Sequence, residues 1–259
     1  MRRIMLTLTV ACALLLIFRS CKRSDIPEQT PATESHDIAA LQQSVAQALY
    51  TTPDKVVYNA REKQFVVEED SYVTLEDAVL RFGDKGAAPP SGVNGTTQMA
   101  HYFLIAPPKE STIRIYVDAS VPGAWKRALE DAIEHWNDAG SMVKMKRVWS
   151  ASTATTIVSA TYAQSSTIAS AAYPDYYGNP GRRITINTYQ NSLTSSKKVF
   201  AITHELGHTI GFAHTNGTAG ELVEGTPQLD PNSVMNSVVR SWDGFTKNDL
   251  KAVRTIYPK

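Results

Sequence analysis

Cysteine is almost missing from this chain: 259 residues contain two, Cys12 and Cys21, both near the N-terminus. A disulfide framework is therefore excluded for the long remainder. An excess of either charge is missing too, with 26 Lys and Arg against 25 Asp and Glu and a formal net charge of +1. Such a balance provides no basic field for nucleic acid and none for an anionic membrane surface. The basic run Lys144-Met145-Lys146-Arg147 reads as a solvated face. Long apolar runs are also lacking: the stretch Ile4 to Phe18 is too short for a confident membrane span. No internal repeat is present. What remains is a chain with 42% hydrophobic residues, enough for one good core and an accessory segment.

The first residues read as an address. Arg2 and Arg3 precede the apolar stretch, which predicts a signal peptide over residues 1–20. Cys21 follows at once, then the polar stretch Lys22-Arg23-Ser24-Asp25. This resembles a bacterial lipoprotein signal with lipid placed on Cys21, although Phe18 and Arg19 depart from the residues usual before such a cysteine. The expectation is a cell-envelope or extracellular location with a lipid anchor in a bacterial membrane. Loss of residues 1–20 removes Arg2, Arg3 and Arg19 and no acid, leaving 23 basic against 25 acidic residues.

Residues 21–35 are rich in Pro, Ser, Thr and Glu and read as a flexible tether. Asp37 to Tyr50 has helical spacing at Ile38, Leu41, Val45 and Leu49, and 56–58 and 65–67 read as short strands. A Pro/Gly/Asn-rich stretch, 87–97, closes an accessory or pro-segment of residues 36–97. The second part, 98–259, opens with an alternating strand at 112–117. An amphipathic helix follows, carrying Trp125, Ala128, Leu129, Ala132, Ile133 and Trp136. Strands are expected at 142–149, 155–162 and 183–187, with another at 167–173, expected at an edge. Thr246 is expected to cap a last helix that turns Leu250, Val253 and Tyr257 inward.

The chemistry concentrates at residues 204–214, His-Glu-Leu-Gly-His-Thr-Ile-Gly-Phe-Ala-His. On a helix, His204 and His208 share a face and can bind one metal ion. Glu205 sits roughly 100° round the helix, close to the metal without pointing at it, which suits a general base acting on water. Gly211 can end the helix at positive φ, so that His214 arrives as a third ligand. Neutral imidazoles suit Zn²⁺, and three protein ligands leave a fourth position open, the catalytic arrangement. Ile202, Leu206 and Ile210 repeat on the opposite face and would pack in the core. Chance places all five fixed residues on the order of once in 10⁵ chains of this length. Met235, in Ser233-Val234-Met235-Asn236, lies downstream where a Met-turn would form a soft floor under the ligands.

These residues, with the strand–helix stretch Ile113 to Asn137, resemble the dual-action HEIGH metallopeptidases, a metzincin-like bacterial family. Leu206 stands where the family name has Ile. The resemblance covers about residues 60–259 and implies zinc-dependent hydrolysis of peptide bonds. It also implies His204, His208 and His214 as ligands and Glu205 as base. It implies an α+β fold: a metzincin-like zinc peptidase domain with a mixed twisted sheet, a long zinc-binding helix and a Met-turn. Met235 is followed by Asn236 rather than a His-Tyr pair, so no tyrosine ligand is assigned.

Val67-Glu68-Glu69-Asp70 resembles the pro-segment motif of the astacins, whose aspartate blocks the zinc. Glu69 stands where that motif has Gly, and Ser71 where Ile is usual. The competing reading is an exposed acidic run after a strand. Asp70 is therefore a candidate aspartate switch. His36, His101 and His135 lack partner spacing, and turn chemistry explains Asp175 and Asn179 better than a calcium loop. Tyr176 and Tyr177 read as ordinary loop aromatics.

The expectation is a monomeric zinc metalloendopeptidase that takes a protein or peptide substrate as a strand added to a sheet edge. It binds no nucleic acid, needs no cofactor beyond Zn²⁺, and touches a membrane only through Cys21. The rival is a non-catalytic surface lipoprotein that keeps zinc for structure and binds an envelope or host protein. The intact Glu205 argues against it. Zinc hydrolysis of a non-peptide amide is a third reading that the motif leaves open.

Overall fold

The alternation Ile113-Arg-Ile-Tyr-Val117 places Ile113 and Ile115 on one face, and both are fully buried. The computed structural model describes residues 36–84, 86, 99–100, 103–227 and 229–259. Cys12, Cys21, His101 and the tether lie outside the described residues. In chain order the elements are α1 (Ile38–Ala48), β1 (Val56–Asn59), β2 (Gln64–Val67), β3 (Ser71–Thr74), α2 (Leu75–Phe82) and β4 (Met99–Ala100). Next come β5 (Ile113–Val117), α3 (Gly123–Asp138), β6 (Met145–Val148), β7 (Thr156–Thr161), β8 (Ala169–Ala172) and β9 (Arg183–Asn187). The last are α4 (Ser195–Thr209), β10 (Glu221–Leu222) and α5 (Lys247–Ile256). The fold is α+β, as expected, and the described residues fall within one compact unit.

Eight strands form a mixed sheet in the order β1-β2-β3-β8-β9-β7-β5-β6, while β4 and β10 pair separately. Strands β5, β6, β7 and β9 run parallel, and β8 is antiparallel to β9. One core lies between this sheet and the helices α3 and α4. Trp125, Leu129 and Trp136 of α3 meet Phe200, Ile202 and Leu206 of α4 there. Trp136 also donates its indole N–H to the Thr203 carbonyl at 2.9 Å, which fixes the rotation of α4. Each fully buried large side chain contributes about 1.5–3 kcal/mol, so this contact anchors the helix firmly. A smaller core joins Leu41, Val45, Phe65 and Val67 to Phe103, Tyr173, Ala213 and Ala219. The accessory segment thus packs directly on residues that flank α4.

Strand β8 is not the edge that its sequence suggests. β3 pairs with it in parallel, Ser71 opposite Ala171 and Tyr72 opposite Ala172. The amides of Ala171 and Tyr173 donate to the carbonyls of Asp70 and Tyr72 at 2.8 and 3.0 Å. β3 and α2 carry no hydrophobic period long enough to read, being four and eight residues long. The cap of α2 is nevertheless local, with the Asp77 amide bound to the Thr74 hydroxyl at 3.1 Å.

Two glycines position α4. At its end, Gly211 has φ +100 and its amide donates to the His208 carbonyl, while the Phe212 amide donates to Gly207. This pair of bonds is a Schellman motif, which closes the helix and turns the chain toward His214. Beyond Thr209, Gly181 donates to the Thr209 carbonyl at 2.8 Å. A Cβ at Gly181 would lie 1.9 Å from the Ala172 carbonyl oxygen, so no side chain fits between α4 and β8.

Candidate metal centre and catalytic site

The three histidines converge. His204 Nε2 lies 3.0 Å from His208 Nε2 and 3.1 Å from His214 Nε2. Each ring is held from behind by an acceptor. His204 Nδ1 donates to the Val234 carbonyl at 2.7 Å, and His208 Nδ1 to the Phe212 carbonyl at 2.7 Å. A carbonyl can only accept, so these bonds put the proton on Nδ1 and leave a lone pair on Nε2. His214 Nδ1 faces the Glu68 carboxylate at 3.1 Å. Backing each ring in this way orients imidazole ligands and raises their basicity.

Asp70 completes the cluster from the accessory segment. Its carboxylate lies 3.1 Å from His214 Nε2, 3.5 Å from His204 Nε2 and 3.6 Å from His208 Nε2. Asp70, His204, His208 and His214 together could hold one metal ion. The donor set fits Zn²⁺ on two grounds. Ligands 2.0–2.1 Å from a tetrahedral zinc stand about 3.3 Å apart, close to the separations found here. Lone pairs gathered at this range need a positive charge among them, and Asp70 Oδ1 is buried there with no hydrogen-bond partner among the described residues.

The protonation preferences carry the same message. Burial opposes ionisation of Asp70, but the His214, His204 and His208 rings outweigh it and hold its carboxyl well below the usual range. Burial above all pushes His208 down to about 4. Burial also works against a charged His214, yet the Asp70 and Glu68 carboxylates overcome it and push that ring up to about 10. The Asp70 and Glu68 carboxylates therefore favour positive charge at that ring. Glu205 behaves differently: burial, reinforced by the Asp70 charge, holds its carboxyl well above the usual range. It is 3% exposed, and its Oε2 has no hydrogen-bond partner among the described residues.

Met235 forms the floor. A Cβ built at Gly207 would lie 2.3 Å from its sulfur, so the methionine packs against bare helix backbone. The turn that carries it is tied down from α5. Asp249 accepts from the Ser233 hydroxyl at 2.5 Å and from the Val234 amide at 3.2 Å, while closing a capping box with Thr246. Val234 is the residue whose carbonyl holds His204. This role for Asp249 is not legible beforehand, although Thr246-x-x-Asp249 is a visible capping pattern. The carbonyls of Val234 and Phe212 carry no sequence signal at all.

The other candidates lie apart. His36 bonds Asp84 at 2.9 Å, and His135 stacks on Trp242. The Asp175 carboxylate is used by the Asn179 amide and side chain, as turn chemistry requires. Tyr176 and Tyr177 are exposed and pack edge to face. A cleft of about 730 Å³ opens beside the histidines, lined by Val66, Glu69, Asp70, Ile168, Ala201 and Val239 among others.

The sequence pattern of the dual-action HEIGH metallo-peptidases matches residues 67–257. The chain belongs to that family. It is a zinc metallopeptidase, and its substrates are proteins or peptides. Two structures of myroilysin are similar at 14% and 16% identity, with TM-scores of 0.46 and 0.43. They cover 62% and 67% of this chain and 98% of their own. High choriolytic enzyme 1, a hatching enzyme zinc-protease from the medaka fish Oryzias latipes, is 13% identical. Its TM-score is 0.41, over 60% of this chain and 94% of that one. No curated protein sequence matches the chain.

The contact between Gly207 and Met235 can be tested. Helix propensity alone favours Ala over Gly by about 0.5–1 kcal/mol. Here the added methyl must displace a buried sulfur, so Gly207→Ala is expected to lower stability by about 1–3 kcal/mol in urea denaturation. A stabilised variant would show that Met235 does not press on the helix.

Proposed function

We propose that this chain is an endopeptidase made as a latent enzyme, with His204, His208 and His214 as zinc ligands, Glu205 as general base and Asp70 as the plug. The observation that carries the reading is the position of Asp70. A carboxylate from the accessory segment stands among the three ring nitrogens, where a fourth ligand belongs. When bound, zinc supplies Lewis acidity, lowering the pKa of water and polarising a carbonyl.

The chain's own groups do the rest. Glu205 takes a proton from the attacking water and passes it to the leaving amine. Its burial favours a carboxyl that holds the proton between those two steps. His204 and His208 are fixed by carbonyls rather than titratable groups, so the geometry of these two ligands is independent of that proton traffic. Asp70 blocks the reaction by occupying the position the substrate's reacting group needs. β3 blocks it again by taking the β8 amides of Ala171 and Tyr173. Departure of residues 36–97 frees both, and a substrate strand then adds to β8 by main-chain hydrogen bonds. The chain works as a monomer, and lipid on Cys21 tethers its latent form in the cell envelope.

The plug is held under strain. Glu68 and Glu69 have φ of +49 and +78, a left-handed conformation that glycine adopts freely and glutamate does not. It costs about 1 kcal/mol or more for each residue. Glu69 occupies the position where the astacin motif has Gly, so this strap, residues 67–70, is held by its contacts against its backbone preference.

Two variants test the assignments. Glu205→Gln is expected to keep stoichiometric zinc by metal analysis and to lose at least ~100-fold in peptide cleavage. Full activity in that variant removes Glu205 from its role. Asp70→Ala is expected to raise cleavage of a fluorogenic peptide by the full-length chain, since it vacates the fourth position. Full-length protein equally inactive with and without Asp70 contradicts the switch.

A further inference from the structure

The turn between β2 and β3 grips His214 from both sides. Asp70 reaches its Nε2, and Glu68, two residues earlier, reaches its Nδ1 at 3.1 Å. The other oxygen of Glu68 is also engaged. Oε1 accepts from the Thr218 amide, from the Thr218 hydroxyl at 3.1 Å and from the Ala219 amide at 3.3 Å. Gly217 makes room for this contact, because a Cβ there would lie 2.1 Å from Glu68 Oε2. One carboxylate thus ties the third histidine to the loop that follows it. His204 and His208 have carbonyls behind them from α4's own surroundings. His214 alone has its Nδ1 held by the segment that would leave.

We propose that Glu68 is a positioning residue for His214, supplied by the strap, so that the latent form holds zinc more tightly than a form without that carboxylate. The inference rests on the three-histidine zinc site proposed above. The acceptor behind a ligating imidazole fixes its tautomer and ring orientation and raises its basicity, and losing it typically costs 10–100-fold in metal affinity. Glu68 also explains why the strap tolerates two left-handed glutamates. Its several charge-assisted hydrogen bonds outweigh the backbone cost. The strap then acts twice on the same ring. Asp70 shuts the site at Nε2, and Glu68 orients the ligand from Nδ1.

Glutamine is the informative substitute. Both Glu68 oxygens face donors, so in Glu68→Gln the amide NH₂ must meet either His214 Nδ1–H or the Thr218 and Ala219 amides. Shape is kept while one side of the grip is lost. Zinc affinity of the full-length chain, measured by competition with a chromophoric chelator, is expected to fall about 10–100-fold in Glu68→Gln and Glu68→Ala. Glu69→Ala, at the exposed neighbour, is expected to leave it within about twofold of the parent. Melting of the zinc-free proteins separates a merely structural role. A lower melting temperature with unchanged zinc affinity means that Glu68 only anchors the loop, and overturns the proposal. Unchanged affinity in both Glu68 variants overturns it too, while leaving the zinc site and Glu205 untouched. A parent chain that binds no zinc brings down the proposal and the zinc reading together.

Discussion

Imidazole lone pairs brought within about 3 Å of one another repel unless a positive charge sits among them. Much of this structure serves to hold three of them there anyway. Trp136 fixes the rotation of α4 and so the direction of His204 and His208. Gly211 turns the chain so that His214 returns to the same point. The Val234 and Phe212 carbonyls lock two tautomers, and Glu68 faces the third ring from behind. A cation that joins the cluster returns the work needed to assemble it. That is the physical link between the fold and the zinc chemistry of its family.

The cluster's supports come from distant parts of the chain. Asp249, on the last helix, holds the Met-turn, and the Met-turn holds His204. The accessory segment contributes Asp70 and Glu68 and covers the amides of β8. Its own core is sealed by Phe103, Tyr173, Ala213 and Ala219, which belong to the peptidase part. Latency in this reading is a shared core, a shared sheet and a shared ligand set.

The central site was legible because a metal-binding helix needs particular side chains at particular intervals. His204, Glu205, His208, Gly211 and His214 each have a job that few other residues can do. The amphipathic α3 was legible for a simpler reason, six buried residues at helical spacing over 16 residues. Its neighbours were not. β3 and α2 are too short to show a period, and β8 looks like an edge because its partner lies about 100 residues earlier. Backbone carbonyls behind the histidines have no residue type. Glu68 looked like part of an acidic run because nothing local reveals that it faces residues 150 positions away.

The claim that the strap's aspartate is a ligand in the latent form is tested most directly by X-ray absorption at the zinc edge of the full-length, zinc-loaded chain. Three imidazole nitrogens and one carboxylate oxygen at about 2.0–2.1 Å are expected, with the oxygen contribution altered when Asp70 is replaced by Asn. A spectrum of three nitrogens and a water, identical in the two proteins, would contradict the account.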